Sequence, residues 1–169
     1  MRKTKFVKFL NELDVEELKE ELTKLYGKST FVKNYYAMEL GDVDDRKALF
    51  DKAKKKISNL YSRRKTRSRI SKVNTLLKDI AAISIFEHEL ADLYLHHAEV
   101  AADHINYYGW PRDPDLNHLK TSFEKAVDHI SSSQSKDTYQ DRVEEVIEKL
   151  YEYDFFMSML SDYKKDNLF

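Results

Sequence analysis

Only three glycines and two prolines punctuate the 169 residues. A chain with so little turn-forming material is poorly equipped for tight hairpins or phosphate-cradling loops, and helices are what remain. The apolar residues recur at the matching period. Phe6, Phe9, Leu10 and Leu13 predict a short first helix over Thr4 to Leu13. Asp14 with Glu17 three residues on forms a capping box for a second helix striped by Val15, Leu18, Leu22 and Leu25, which Gly27 is expected to stop. Ser29 caps a third helix carrying Phe31, Val32, Tyr35, Tyr36 and Leu40, with Gly41 at its end in the position that favours a left-handed residue.

Asp42 or Asp44 opens a fourth helix, whose Leu49, Phe50, Ala53, Ile57, Leu60 and Tyr61 fall within about 120° of arc. Ile70, Val73, Leu76, Leu77, Ile80 and Ile83 continue the period in a further helix, after a connector, Ser62 to Ser68, that has no apolar residue. Ser84 to Tyr108 is the longest helical pattern, either a new helix or a continuation with a bend near Ala82, and its small Ala98 and Ala101 would let a neighbour approach closely; it is expected at the centre. Gly109 ends it. Asp113-Pro114 starts the next helix, with Leu116, Leu119, Phe123, Ala126, Val127 and Ile130 inward, and after a polar Ser131 to Ser135 loop one last helix is expected from Asp137 to about Leu160. No strand-like alternation and no internal repeat interrupt this reading. The expected fold is all-α, a compact bundle of six to eight helices around a long central helix, forming one domain over 1–169 in which 1–41 can pack as an N-terminal helical subdomain.

Charge is strongly separated along this helical chain. Residues 46–72 hold 12 of the 29 Lys and Arg residues against one acid, a net of +11, while residues 1–45 carry −2 and residues 73–169 carry −10. Sign asymmetry of this kind is the compositional footprint of a surface that meets a polyanion. Lys52, Lys55, Lys56 and Arg63 fall on the outer arc of the fourth helix, Arg64, Lys65 and Arg67 on the connector, and Arg69 and Lys72 just beyond it. Three accounts of these cations compete: contacts to nucleic-acid phosphates, docking of an acidic protein surface, or neutralisation of the acidic helices from residue 73 onward.

Other constellations are weaker. His88, Asp92, His96, Glu99 and Asp103 form one stripe of the central helix opposite its apolar side, which reads as a solvated face. His97 and His104 lie one heptad apart within the apolar arc; the expected account is two neutral, hydrogen-bonded core histidines, the alternative a metal site completed by His118, His129 or Glu124. No cofactor is expected. The chain has no cysteine, no Gly-rich phosphate loop, no G-x-S-x-G turn and no H-E-x-x-H, which argues against an enzyme. No apolar run approaches the roughly 18 to 20 residues that cross a bilayer. Lys8 and Asn11 interrupt the basic N-terminus before a signal-peptide core develops, so a cytoplasmic protein is expected.

The order of Leu18 to Leu25-Tyr26, Val32-Lys33-x-Tyr35-Tyr36, Arg64-Lys65-Thr66-Arg67-Ser68, Leu90-Ala91-Asp92-Leu93-Tyr94-Leu95 and Tyr107-Tyr108-Gly109 resembles an uncharacterised all-helical bacterial family, domain of unknown function 6155. The likeness runs from about Leu13 to about Tyr153. It implies a small helical bacterial protein and supplies no reaction, cofactor or site. The chain departs from the family pattern in lacking a glycine in the basic connector, in having Gly41-Asp42 where Asn-Pro is common, and in carrying His96, His97 and His104. The expectation is a non-enzymatic protein whose basic surface engages nucleic acid or a nucleic-acid-bound complex. The runner-up is a protein–protein module, a regulator or inhibitor of another macromolecule of the kind mobile elements carry.

Overall fold

A computed structural model of the chain describes residues 2–62, 69–84, 86–109, 111–133 and 136–168. Among the described residues there are nine α-helices and no strand: α1 (Lys3–Glu12), α2 (Val15–Lys28), α3 (Thr30–Leu40), α4 (Val43–Tyr61), α5 (Arg69–Ala81), α6 (Glu87–Tyr108), α7 (Asp113–Ser132), α8 (Lys136–Glu148) and α9 (Asp154–Leu168). The all-helical expectation holds, with one helix more than its upper count. The extra one comes from the expected single helix after Asp137, which breaks between Glu148 and Asp154 through short-range backbone bonds such as Tyr153 N–H to the Leu150 carbonyl. Leu150, Tyr153, Met157 and Leu160 keep helical spacing across the break, so the apolar pattern conceals it. The turn lets α8 pack on α6 while α9 crosses onto α7, where Phe156 and Leu160 are buried.

Local signals set most other boundaries. Asp14 and Glu17 make the reciprocal capping box, and the side chains of Ser29 and Asp42 accept from the third backbone N–H of α3 and α4. Gly109 closes α6 at φ +63°, a conformation that costs a residue with a Cβ. Two other glycines do not act as expected. Gly27 lies inside α2, which runs on to Lys28, and Gly41 has an ordinary φ of −72°. Gly41 is needed for proximity instead, because a Cβ there would come within 2.2 Å of the Ala37 carbonyl oxygen.

The core is organised on α6, which has its most extensive interface with α7, is flanked by α4, and also meets α8 and α5. Apolar burial therefore extends around α6, from Leu90, Leu93 and Ile105 to Ala91, Leu95 and Ala102 on other sides. Phe123 of α7 is the largest of the fully enclosed side chains. At the other extreme α1 and α2 bury no residue at all, and α3 joins the rest through α4, against which it buries Met38. No helix among the described residues is long and apolar enough to cross a membrane.

Stability should be concentrated accordingly. Phe123→Ala is expected to cost about 3–5 kcal/mol by opening a cavity in a site that cannot collapse. Leu40→Ala, at a side chain 80% exposed, should stay within about 0.5 kcal/mol. Urea unfolding of the two variants beside the parent chain measures both.

Candidate functional site

The basic segment divides into an outward and an inward set. Lys52, Lys55 and Lys56 of α4 and Lys72 of α5 are exposed and form no ion pair among the described residues. Lys52 and Lys56 border a cleft of about 130 Å³ between α3, α4 and α5, with Phe31, Leu49, Leu76 and Asp79 also lining it. Arg46 and Lys54 turn inward, Arg46 Nε lying 3.6 Å from Glu89 and Lys54 bonding Asp92, both on α6. Arg63, Arg64, Lys65 and Arg67, four of the expected phosphate contacts, lie outside the described residues.

Arg69 is a correction. Expected as a surface contact, it is 3% exposed, and both of its terminal nitrogens are engaged. One terminal nitrogen donates to Asp115 at 2.8 Å, the other to His104 Nε2 at 2.6 Å, and the guanidinium lies over the Tyr61 ring at 4.5 Å from its centroid. Asp115 is also held by Arg112 at 3.0 Å. Burial alone would raise the Asp115 carboxyl, but the two arginines hold it below its ordinary value. A guanidinium with these partners inside the bundle is closed to an external phosphate.

The expected solvated stripe of α6 is partly covered over its middle, at Asp92, His96 and Glu99. Arg142 of α8 reaches across it, donating to Asp92 at 2.7 Å and to both oxygens of Glu99 at 2.6 and 3.0 Å. Lys149 pairs with Asp103 at 2.8 Å, and His96 bonds the Ser58 hydroxyl at 3.0 Å. His88 and Asp103 remain exposed at the two ends of the stripe. Desolvation pushes the Asp92 carboxyl up, yet Lys54 and Arg142 together bring it below its usual value. The stripe is an electrostatic seam joining α4, α6 and α8, and its countercharges come from distant segments that periodicity cannot assign.

His97 and His104 do not converge on one point as ligands. His104 accepts from Arg69 at Nε2, so its Nδ1 carries the proton and donates to the Tyr61 carbonyl at 3.1 Å. His97 belongs to a buried chain that runs from Ser122 (2.6 Å) through His97 to the Tyr61 hydroxyl (2.8 Å), on to His118 (3.4 Å) and then to Asn74 Oδ1 (2.7 Å). The Asn74 carbonyl oxygen can only accept, which sets the direction. His118 Nε2–H donates to it, Tyr61 donates to His118 Nδ1, His97 Nε2–H donates to Tyr61, and Ser122 donates to His97 Nδ1. Every member is satisfied with both histidines neutral. Among the described residues no group of three or more His, Asp or Glu side chains is arranged to hold a metal ion. Sequence reasoning named His118 only as a spare ligand and missed Tyr61, Asn74, Asp115 and Ser122 as polar partners; Ser122 sits one residue before Phe123 on the apolar side of α7, a weak signal for a buried hydroxyl.

Burial, reinforced by the nearby Arg69 charge, lowers the His118 pKa from 6.5 to about 4, and burial lowers that of His97 as well. Below pH 6.5 the unfolded chain therefore binds protons that the folded chain refuses. The stability these histidines leave intact above about pH 6.5 is expected to fall as the pH drops toward 4, by about 3 kcal/mol for His118 once it is fully titrated. Thermal unfolding across that range measures the slope, and His118→Gln should make it shallower.

No curated protein and no solved structure matches the chain. A family model does, over residues 1–164, a span that takes in α1 to α8 and α9 as far as Lys164, with both the lysine face and the polar interior. The chain belongs to DUF6155, a family of unknown function.

Proposed function

We propose that this is a non-enzymatic binding protein that engages a polyanion, foremost nucleic acid or a nucleic-acid-bound complex, through Lys52, Lys55, Lys56 and Lys72. The observation that carries the reading is the partition of the cations. Those that turn inward, Arg46, Lys54 and Arg69, meet Glu89, Asp92 and Asp115, whereas Lys52, Lys55, Lys56 and Lys72, like Lys47, meet no carboxylate among the described residues. Internal neutralisation thus accounts for part of the basic segment and leaves an outward remainder. Lys52, Lys55 and Lys56 share one face of α4 at i, i+3 and i+4 spacing, and Lys72 stands one helical turn before Leu76, which lines the same cleft as Lys52 and Lys56. Ammonium groups so grouped neutralise phosphates and release their counterions, an affinity that does not depend on base sequence. Arg63, Arg64, Lys65 and Arg67 extend the set along the chain. The titratable groups around Tyr61 are hydrogen-bonded to one another, which supports a structural use of those groups over catalysis.

One observation favours a second reading, docking of an acidic protein. The cleft beside Lys52 and Lys56 has an apolar lining from Phe31, Leu49, Leu76 and Ile80, suited to one anchoring side chain of a protein partner.

Binding to a labelled single- or double-stranded oligonucleotide, followed as salt is raised, tests the first reading. Four lysines each neutralising one phosphate give a log–log slope of about −3 to −4, and participation of the four connector cations steepens it to about −6 to −7. Replacing Lys52, Lys55, Lys56 and Lys72 together with Glu should abolish binding to all sequences alike while leaving the helical circular dichroism unchanged. Salt-independent binding, or none at low ionic strength, overturns the reading. Stable capture of one protein after nuclease treatment supports the second.

A further inference from the structure

The first two helices are strongly amphipathic, and among the described residues their apolar sides stay largely uncovered. Phe6, Val7 and Phe9 of α1 and Val15, Leu22 and Leu25 of α2 are each 39–66% exposed, and neither helix has a buried residue. α1 takes part in no extended helix–helix interface, and α2 meets only α3 appreciably. A helix of 10 residues gains too few backbone bonds to stand alone in water, so its stability has to come from packing of its apolar side. Together these side chains offer on the order of 500 Å² of apolar surface, counting about 150–250 Å² for a whole aromatic ring. That is at the upper end of what monomers leave open, and with its polar rim it approaches the roughly 800 Å² per partner of a standard interface.

The charges beside this surface say what fits it. From Arg2 to Leu13 there are four cations and one acid, a net of +3; from Asp14 to Lys28 there are five acids and three cations, a net of −2. The apolar arc of α1 is bordered by Lys3 and Lys5, with Glu12 the exception, and that of α2 by Glu16 and Glu21, with Lys19 the exception. Lys19–Glu16 and Lys24–Glu21 pairs exist within α2, but exposed pairs of this spacing hold their partners weakly. A patch that is positive on one half and negative on the other complements itself under a two-fold rotation, the geometry of an isologous contact. An anionic membrane, the other natural occupant for a basic amphipathic helix, would attract α1 and repel the adjoining α2.

We propose that the α1–α2 face is the interface of a homodimer, in which α1 of each copy lies on α2 of the other. The surface is separate from the lysine face of α4, so the proposal stands or falls independently of anion binding.

Sedimentation equilibrium of the full chain, freed of nucleic acid by nuclease and high salt, tests it. The expected result is a concentration-dependent monomer–dimer equilibrium that Phe9→Glu with Leu22→Glu weakens at least tenfold without loss of helical circular dichroism. Charge reversal gives a second readout that no unfolding can mimic. Chains with Lys3→Glu and Lys5→Glu should dimerise poorly alone, as should chains with Glu16→Lys and Glu21→Lys, while a mixture of the two should recover dimers because each α1 then faces an oppositely charged α2. A parent chain monomeric at every concentration, a dimer untouched by Phe9→Glu with Leu22→Glu, or a mixture with no recovery overturns the proposal. So does flotation of the monomer with phosphatidylglycerol vesicles through α1.

Discussion

A helix packed against four others has little surface on which to leave its polar residues in water. α6 is in that position, with α7, α4, α8 and α5 around it, and yet its sequence carries Asp92, His96, His97, Glu99 and His104. Each of these groups would cost several kcal/mol if desolvated without a partner. The architecture answers with one partner set per neighbour: Lys54 and Ser58 from α4, Arg69 from α5, Ser122 from α7 and Arg142 from α8. The polar residues of α6 therefore act as addresses that fix how each surrounding helix is turned and how far it slides. Apolar packing of Leu, Ala and Phe supplies attraction but tolerates small slips, whereas a guanidinium that must reach two carboxylates at once does not.

This demand also sorts the charges of α4. A helix presented to α6 with Ala53 and Ile57 inward brings Lys54 to the edge of the interface, where Asp92 takes it, while Lys52, Lys55 and Lys56 lie farther around the cylinder, out of reach of α6. The same helix thus spends one lysine on cohesion and leaves Lys47, Lys52, Lys55 and Lys56 exposed. Net charge along the chain could not reveal this division, since it counts both kinds alike.

What could be read from sequence followed from local physics. Capping at Asp14, Ser29 and Asp42, the stop of α6 at Gly109, and the inward positions of Phe123, Val127 and Ile130 depend on neighbours within a turn or two, and all were legible. Three things were not. The break before α9 sits in an unbroken apolar spacing with no Gly or Pro to mark it. Gly41 serves a close backbone approach that no propensity encodes. The covered stripe of α6 and the inward turn of Arg69 depend on residues 35 to 50 positions away, so a rule that places charge in water wherever a helix has two unlike faces assigned both to the surface. The rule failed because neighbouring helices cover the middle of that stripe, a property of the assembled bundle.

Arg69 has a consequence larger than its own ion pair. It is the first residue of α5, and its guanidinium rests on the ring of Tyr61, the last residue of α4, while His104 binds both the Arg69 side chain and the Tyr61 carbonyl. The two ends of the basic connector are thereby fixed to one polar cluster rooted in α6 and α7. Closing a short loop costs entropy that grows only slowly with its length, so the cluster need supply little to hold its ends together. The cluster has its own cost, since a buried ion pair such as Arg69–Asp115 is at best neutral against an apolar replacement of the same shape. Its value then lies in position: an apolar pair would let α5 rotate against α4, and with it Lys72 against Lys56, whereas the bonds from Arg69 to Asp115 and His104 allow one setting. On this argument the interior histidines and the exterior lysines belong to one design, the former fixing the geometry in which the latter are presented.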